Sequence, residues 1–265
     1  MSQIHYQNQL KASAAKTRNF TQRRLAFSIS AALAGFYIGL GFLFNQYIKL
    51  QMAGSAAAGL VSAVCFSIGL LLVIFAGADL FTGMVMTLSF GMMSRQDKQL
   101  KLVAVAAWAW LFNFVGSALL AVIFRFTKVG GAALDAQILH TVSAKLSLSI
   151  PEMISRGILC NVFVCLAVWV VSGLSSEGNK SFMSVALVAA FVALSFEHVV
   201  ANMTIFTYAA LFSKLERINL GVGPISLVAG LKSLFWVTVG NILGGWLFVA
   251  LPYQIINTQK EKNAI

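Results

Sequence analysis

The sequence is short of charge, and of acid above all. Only 10% of its 265 residues are charged, and eight are acidic. A soluble domain carries about 25% charged residues, so a surface wetted on all sides is excluded. Proline is scarce too: Pro151, Pro224 and Pro252 are the three, and none follows an asparagine. That excludes the Asn-Pro-Ala half-helix starts of common water channels. The three cysteines, Cys65, Cys160 and Cys165, lie inside apolar runs with no C-x-x-C spacing. They offer no metal-binding set and read as small hydrophobes. No Walker A sequence is present, so ATP is not the energy source. No H-E-x-x-H pair and no G-x-S-x-G serine accompanies the histidines, which argues against an intramembrane enzyme.

What remains is apolar. Hydrophobic residues make up 59% of the chain, and the charges fall mostly between long runs, as the cost of burying ions in hydrocarbon requires. With about 20 apolar residues needed per span, the chain holds six spans and short loops. One membrane domain is predicted over residues 25–252, between an N-terminal cytoplasmic segment (1–24) and a C-terminal cytoplasmic tail (253–265). The first 25 residues carry Lys11, Lys16, Arg18, Arg23 and Arg24 and no acid. The run that follows is too long for a signal-peptide core, so it reads as an uncleaved first span with its N-terminus in the cytoplasm. The net charge of +11 sits at segment ends. It is therefore read as topology signals and as attraction of anions toward pore mouths, not as a nucleic-acid surface. Eleven of the nineteen Lys and Arg fall on the predicted inner side, leaving an unusually basic outer face.

The predicted spans run from about Leu25 to Phe44, Ala56 to Met93, Leu102 to Phe124, Ile154 to Val171, Phe182 to Phe212 and Leu234 to Leu251. The second is interrupted by Ala76-Gly77-Ala78-Asp79-Leu80-Phe81-Thr82-Gly83, and the fifth by Phe196-Glu197-His198-Val199-Val200-Ala201-Asn202. Non-helical backbone at membrane depth is tolerated only where protein or a water-filled cavity surrounds it. Each interrupted span is the middle of a group of three. Span 3 contains Asn113-Phe114-Val115-Gly116-Ser117-Ala118-Leu119 and span 6 Asn241-Ile242-Leu243-Gly244-Gly245-Trp246-Leu247, both N-x-x-G-small-x-L. An odd number of spans per copy inverts the second copy, and inverted repeats with broken helices at the midplane mark transporters. The predicted fold is thus an all-α integral membrane protein of six helices in an inverted 3+3 repeat.

His198 is the only histidine inside an apolar span, and the only group at this depth that switches charge near neutral pH. It reads either as a functional group or as a neutral ring bonded between helices. Asp79 and Glu197 occupy matching places in the two halves. They could bind cations or relay protons; the preferred reading is that each caps backbone N–H groups freed by the break. Thr82, Asn161, Asn202 and Asn241 could line a pore or bond between helices. Phe66, Phe81 and Phe191 flank the interruptions and could form dewetted constrictions.

Together, the Ala76 to Gly83 motif, Arg156-Gly157-Ile158-Leu159-Cys160-Asn161 with Val164-Cys165-Leu166-Ala167-Val168-Trp169, Phe196-Glu197-His198 with Ala201-Asn202-Met203, and Val237-Thr238-Val239-Gly240-Asn241 through Gly245 resemble the formate/nitrite transporter family. These motifs lie in order from about Phe66 to Gly245. The resemblance implies an aquaporin-like architecture without its motifs, a homopentamer with one pore per protomer in the cytoplasmic membrane, and passage of a small monovalent anion, often with a proton. It implies no enzyme activity, no cofactor and no metal. It makes His198 the central pore histidine, Thr82 its partner, Asn241 a member of the central polar site and Asn161 a neighbour of the pore. Lys145 would attract anions in the outer vestibule. Phe66, Leu70, Leu80, Phe81, Phe191 and Val164 would form two constrictions. Val199 and Val200 follow the histidine where many members have Ser-Ile. The expected substrate is formate or nitrite, with a hydrosulfide or lactate pore, or a non-transporting scaffold, as alternatives. A desolvated anion is costly and its pKa rises on burial, so it could cross as the neutral acid, or a positive His198 could compensate its charge.

Overall fold

Long apolar runs can bury their backbone in lipid only as helices, and helices are what form. The computed structural model describes residues 2–221 and 225–262; Gly223 and Pro224 of the predicted loop before span 6, and the last three residues, lie outside them. Span 1 is α2 (Arg24–Gln51), preceded by α1 (Ser2–Gln22). Span 2 is broken into α3 (Ala58–Phe66), α4 (Ile68–Phe75) and α5 (Phe81–Met93), and span 3 is α6 (Gln99–Thr127). The second half repeats the order: α7 (Gly131–Leu146), span 4 as α8 (Ile150–Ser172), span 5 as α9 (Glu177–Ala193) and α10 (Val199–Ala210), then α11 (Lys214–Asn219) and span 6 as α12 (Leu227–Gly245). A π-helical turn (Trp246–Ala250) joins α12 to α13 (Leu251–Lys262). Five of these stretches are long and apolar enough to cross a membrane on their own, while α9 and α10 make up the remaining span. Exposed Leu33, Phe44, Leu111, Val115, Leu119 and Phe235 line faces that only lipid or another apolar surface can cover.

Helix α1 lies against the ends of the spans that approach α13. Tyr6 packs edge-on against Phe90, and Trp169 is sandwiched between His5 and Tyr253, at centroid distances of 5.5 and 4.4 Å. Both termini are thus on one face, here the terminal face. Helix α7 covers the opposite face, where the Thr141 hydroxyl donates to Gln46 Oε1 at 3.1 Å.

The structure departs from the sequence reading mainly where polar residues are buried. Span 1 does not stop at Phe44, because Asn45 and Gln46 are buried and bonded to each other. Most of the segment 1–24 is helix α1 (Ser2–Gln22), which buries Tyr6, Gln9, Ser13, Thr17 and Phe20 along one face. The polar stretch before span 4 is also a helix, with Leu134, Ile138, Leu139 and Val142 buried. The tail from 253 continues span 6 as α13. The two breaks occupy residues 76–80 and 194–198 and end earlier than predicted, so Thr82, Gly83 and Asn202 sit in the first turns of α5 and α10.

The inverted repeat shows in matched contacts. Helix α2 packs along α6, and α8 along α12. The N-x-x-G glycines lie at these crossings: a Cβ on Gly116 would overlap the Ala32 carbonyl, and one on Gly244 the Ile158 carbonyl. Close backbone approach of this kind holds membrane helices together. Gly116→Val and Gly244→Val should each destabilise the fold by roughly 3 kcal/mol through overpacking. Denaturant titration in detergent checks this, and wild-type midpoints for both variants would refute it.

Candidate functional site

The two breaks are built alike. In the first, Gly77 turns at φ +72° and the Ala78 N–H returns to the Val73 carbonyl at 2.9 Å. In the second, Ser195 turns at φ +56° and the Phe196 N–H returns to Phe191 at 3.1 Å. A serine in the left-handed region carries a strain of about 1 kcal/mol or more that glycine avoids. The chain then runs on as a short extended piece. The Asp79 N–H reaches the Ser30 carbonyl at 3.4 Å, and the Glu197 N–H the Arg156 carbonyl at 3.3 Å.

One asparagine splints each break. Asn113 Oδ1 accepts from the Phe81 N–H at 2.8 Å, while its Nδ2 donates to the carbonyls of Ala31 at 2.7 Å and Asp79 at 3.0 Å. Asn241 Oδ1 accepts from the Val199 N–H at 3.0 Å, and its Nδ2 donates to Gly157 at 2.8 Å and Glu197 at 2.9 Å. Both amides are fully buried and committed to backbone. Asn241, expected in the central polar site, therefore has no spare donor to offer an anion.

The carboxylates are not the caps they were expected to be. The asparagines and His198 take the freed amides, so the acids pair with cations instead. Asp79 Oδ1 accepts from Lys16 Nζ at 2.6 Å, and Glu197 Oε1 from Lys145 Nζ at 2.6 Å. Glu197 Oε2 also accepts from Asn202 Nδ2 at 2.7 Å. A buried carboxylate needs such partners. The two lysines come from α1 and α7, the helices that precede each repeat. Lys145 is thus an ion-pair partner, only 15% exposed, as well as a wall of the vestibule.

His198 is the N-cap of α10. Its Nδ1 accepts from the Ala201 N–H at 3.2 Å, and its Nε2 lies 3.0 Å from Thr82 Oγ1. A backbone amide can only donate, so Nδ1 is unprotonated and the neutral ring carries its proton on Nε2. A second proton on Nδ1 has to displace the Ala201 amide. Thr82 is held in turn by its carbonyl, which accepts from Asn161 Nδ2 at 3.2 Å and faces the Cys165 thiol at 3.5 Å. Asn161 Oδ1 has no hydrogen-bond partner among the described residues.

A cavity of about 360 Å³ opens from His198 toward the α7 face. Lys49, Lys145 and Arg156 line it with Asn45 and a single acid, Glu197. Phe66 and Phe191 stand in its wall at 5.9 Å, edge to face, and Phe191 stacks on the His198 ring at 6.1 Å. On the terminal side a cavity of about 280 Å³ is lined by Leu70, Leu80 and Lys16. Phe66 with Phe191, and Leu70 with Leu80, therefore lie on opposite sides of the His198–Thr82 pair. Phe81 lines neither cavity. One residue after Leu80 at the start of α5, it points instead into an apolar cleft between α6 and α12 beside Trp110 and Phe235. Val164 is buried in the core next to these elements and lines neither cavity.

Residues 6–255 match the sequence model of the formate/nitrite transporters. The chain belongs to this family. Over 253 residues it is 34% identical to the nitrite transporter NirC of Escherichia coli strain K12, covering 93% of this chain and 89% of that protein. A solved FNT family ion channel superposes with a TM-score of 0.85 at 28% identity, covering 95% of this chain and 98% of that one. A pentameric formate channel with formate bound superposes at 0.77 and 28% identity, over 88% and 96%. This formate/nitrite transporter family member thus has the aquaporin-like fold of its relatives. It is an integral membrane transport protein and not an enzyme.

The roles of Asn113 and Lys16 are not readable from sequence. Asn113 could be flagged only through its match to Asn241, and Lys16 looks like one topology charge among several. For the ion pairs, Lys145→Met leaves Glu197 uncompensated and should destabilise the protein by roughly 3–5 kcal/mol. Glu197→Gln added in the same chain should recover most of that loss. A double variant no more stable than Lys145→Met, measured by unfolding in detergent, would sink this account.

Proposed function

We propose that this protein is a pore for formate or nitrite, passive or proton-linked, assembled as a homopentamer in the cytoplasmic membrane with both termini in the cytoplasm. The observation that carries this reading is the placement of the buried His198–Thr82 pair. It stands between two cavities, behind the Phe66–Phe191 ring pair, at the end of a vestibule with three cations and one acid. Similarity to a nitrite transporter and to a pentameric formate channel supports the anion class and the pentamer. The excess of Lys and Arg on the terminal face supports the orientation.

Lys49, Lys145 and Arg156 raise the local anion concentration at the α7 face. Beyond them the phenyl rings strip water from the anion, a step made less costly by a proton or by a positive partner. His198 offers Nε2–H and, through Thr82, a hydroxyl. Adding a proton at Nδ1 breaks the Ala201 cap, and an anion beside the ring offsets that loss. Proton and anion occupancy are thereby coupled at one residue. Glu197 and Asp79 each pair with a lysine, which offsets their repulsion of the anion and leaves Lys49 and Arg156 as the surplus of charge lining the cavity.

The test is flux of nitrite and formate into liposomes holding the purified pentamer. Absence of both fluxes would overturn the reading. His198→Asn keeps an N-cap acceptor for Ala201 and cannot carry charge. It should assemble normally and change the pH dependence of flux, through lost uptake or one-way leakage. An assembled variant with the wild-type pH profile removes His198 from the centre of the mechanism. Lys145→Arg should lower uptake at low nitrite less than Lys145→Ala does.

A further inference from the structure

Away from the pore, the terminal face gathers cations that the pathway does not use. Residues 16–24 hold Lys16, Arg18, Arg23 and Arg24, and residues 95–101 hold Arg95, Lys98 and Lys101, with Asp97 the one acid in either segment. Lys16 is committed to Asp79. Helix α1 and the start of α6, with the turn before it, bring Arg18 and Lys101 to a cavity of about 240 Å³, lined also by Thr17, Gln22, Gln96 and Asp97. Asp97 is already bound, accepting from Lys101 Nζ at 2.5 Å and from the Lys98 N–H at 2.8 Å. These bonds hold its carboxyl below the usual carboxylate range. Arg18 forms no ion pair among the described residues.

Apolar and aromatic residues of α1, α2 and α6 stand close in sequence to the cavity's lining residues. The Arg24 guanidinium lies over the rings of Phe20 at 4.6 Å and Trp108 at 5.4 Å. Leu25 and Leu100, next in sequence to Arg24 and Lys101, are 75% and 82% exposed. Cations with hydroxyl and amide donors fit a phosphate, and the exposed leucines and the tryptophan beneath Arg24 fit acyl chains at a membrane boundary.

We propose that this cavity binds the phosphate headgroup of an anionic phospholipid from the adjoining leaflet, with Arg18 and Lys101 as its principal contacts. The lipid would bridge α1 to the turn between α5 and α6. A free phosphate would share the cations but gain nothing from Leu25, Leu100 or Trp108.

Native mass spectrometry of the intact protein, released from detergent containing phosphatidylglycerol or phosphatidylcholine, tests this. The wild type should retain phosphatidylglycerol in preference. Each headgroup cation contributes about fivefold in affinity, so Arg18→Gln/Lys101→Gln should weaken retention by about thirtyfold. Lys128→Gln, on the other face, should leave it unchanged. Equal retention by the double variant and the wild type would overturn the site. Should the double variant fail to assemble, Arg18→Gln alone must weaken retention about fivefold, and no change there would overturn it equally. Inorganic phosphate is the second arm. If it raises the thermal midpoint in an Arg18- and Lys101-dependent way while no lipid is retained, the ligand is a soluble phosphate and the lipid proposal fails. Anion flux plays no part in these readouts, so the proposal stands or falls apart from the transport reading.

Discussion

A peptide N–H released from a helix in the middle of a bilayer has no water to bond. Spans 2 and 5 are each opened at that depth, and everything at the candidate site follows from how the opened backbone is satisfied. Asn113 and Asn241 each close three bonds to main chain, two to helices and one to the break itself. An amide is suited to this because it is at once donor and acceptor and carries no charge to bury. The glycines three residues on, Gly116 and Gly244, let the neighbouring backbones approach closely enough for the splint to reach. Removing either part would leave buried polar groups without partners, at about 1–3 kcal/mol each.

With the amides taken, the acids at the breaks are left to find cations. They find them on helices outside the spans, so the ion pairs tie α1 and α7 to the pore. The pathway's electrostatics are thereby fixed by elements that do not cross the membrane. The Lys145–Glu197 pair lines the cavity on the α7 face, and Lys16, paired with Asp79, lines the one on the terminal side.

Much of this was legible in the sequence because membrane burial leaves few explanations for a polar residue. Asp79, Glu197 and His198 stand out inside apolar runs, and they marked the two breaks to within a few residues. The N-x-x-G match between Asn113 and Asn241 revealed the repeat. The contacts of those residues were not legible. The carboxylates were assigned to backbone amides because a helix break needs caps, but the residues that supply the caps are distant in sequence. Helix α1 was hidden because its buried face is partly polar, as Gln9, Ser13 and Thr17 show, and α7 because the polar residues between its buried Leu134, Ile138, Leu139 and Val142 make the stretch read as a loop. Phe81 was grouped with the constriction because it borders the break, yet Leu80 is extended, and successive side chains of extended backbone point to opposite sides, which aims Phe81 into another cleft.

The matched breaks carry a consequence for direction. Asp79 corresponds to Glu197 and Phe81 to Val199 in their bonding, which sets Leu80 opposite His198. The scaffold is close to a palindrome, and a true palindrome would treat traffic from either side alike. At its centre one copy has an apolar side chain and the other an imidazole. Any rectification by the pore must therefore originate where the two copies differ, at this central mismatch and in the differing furniture of its two mouths.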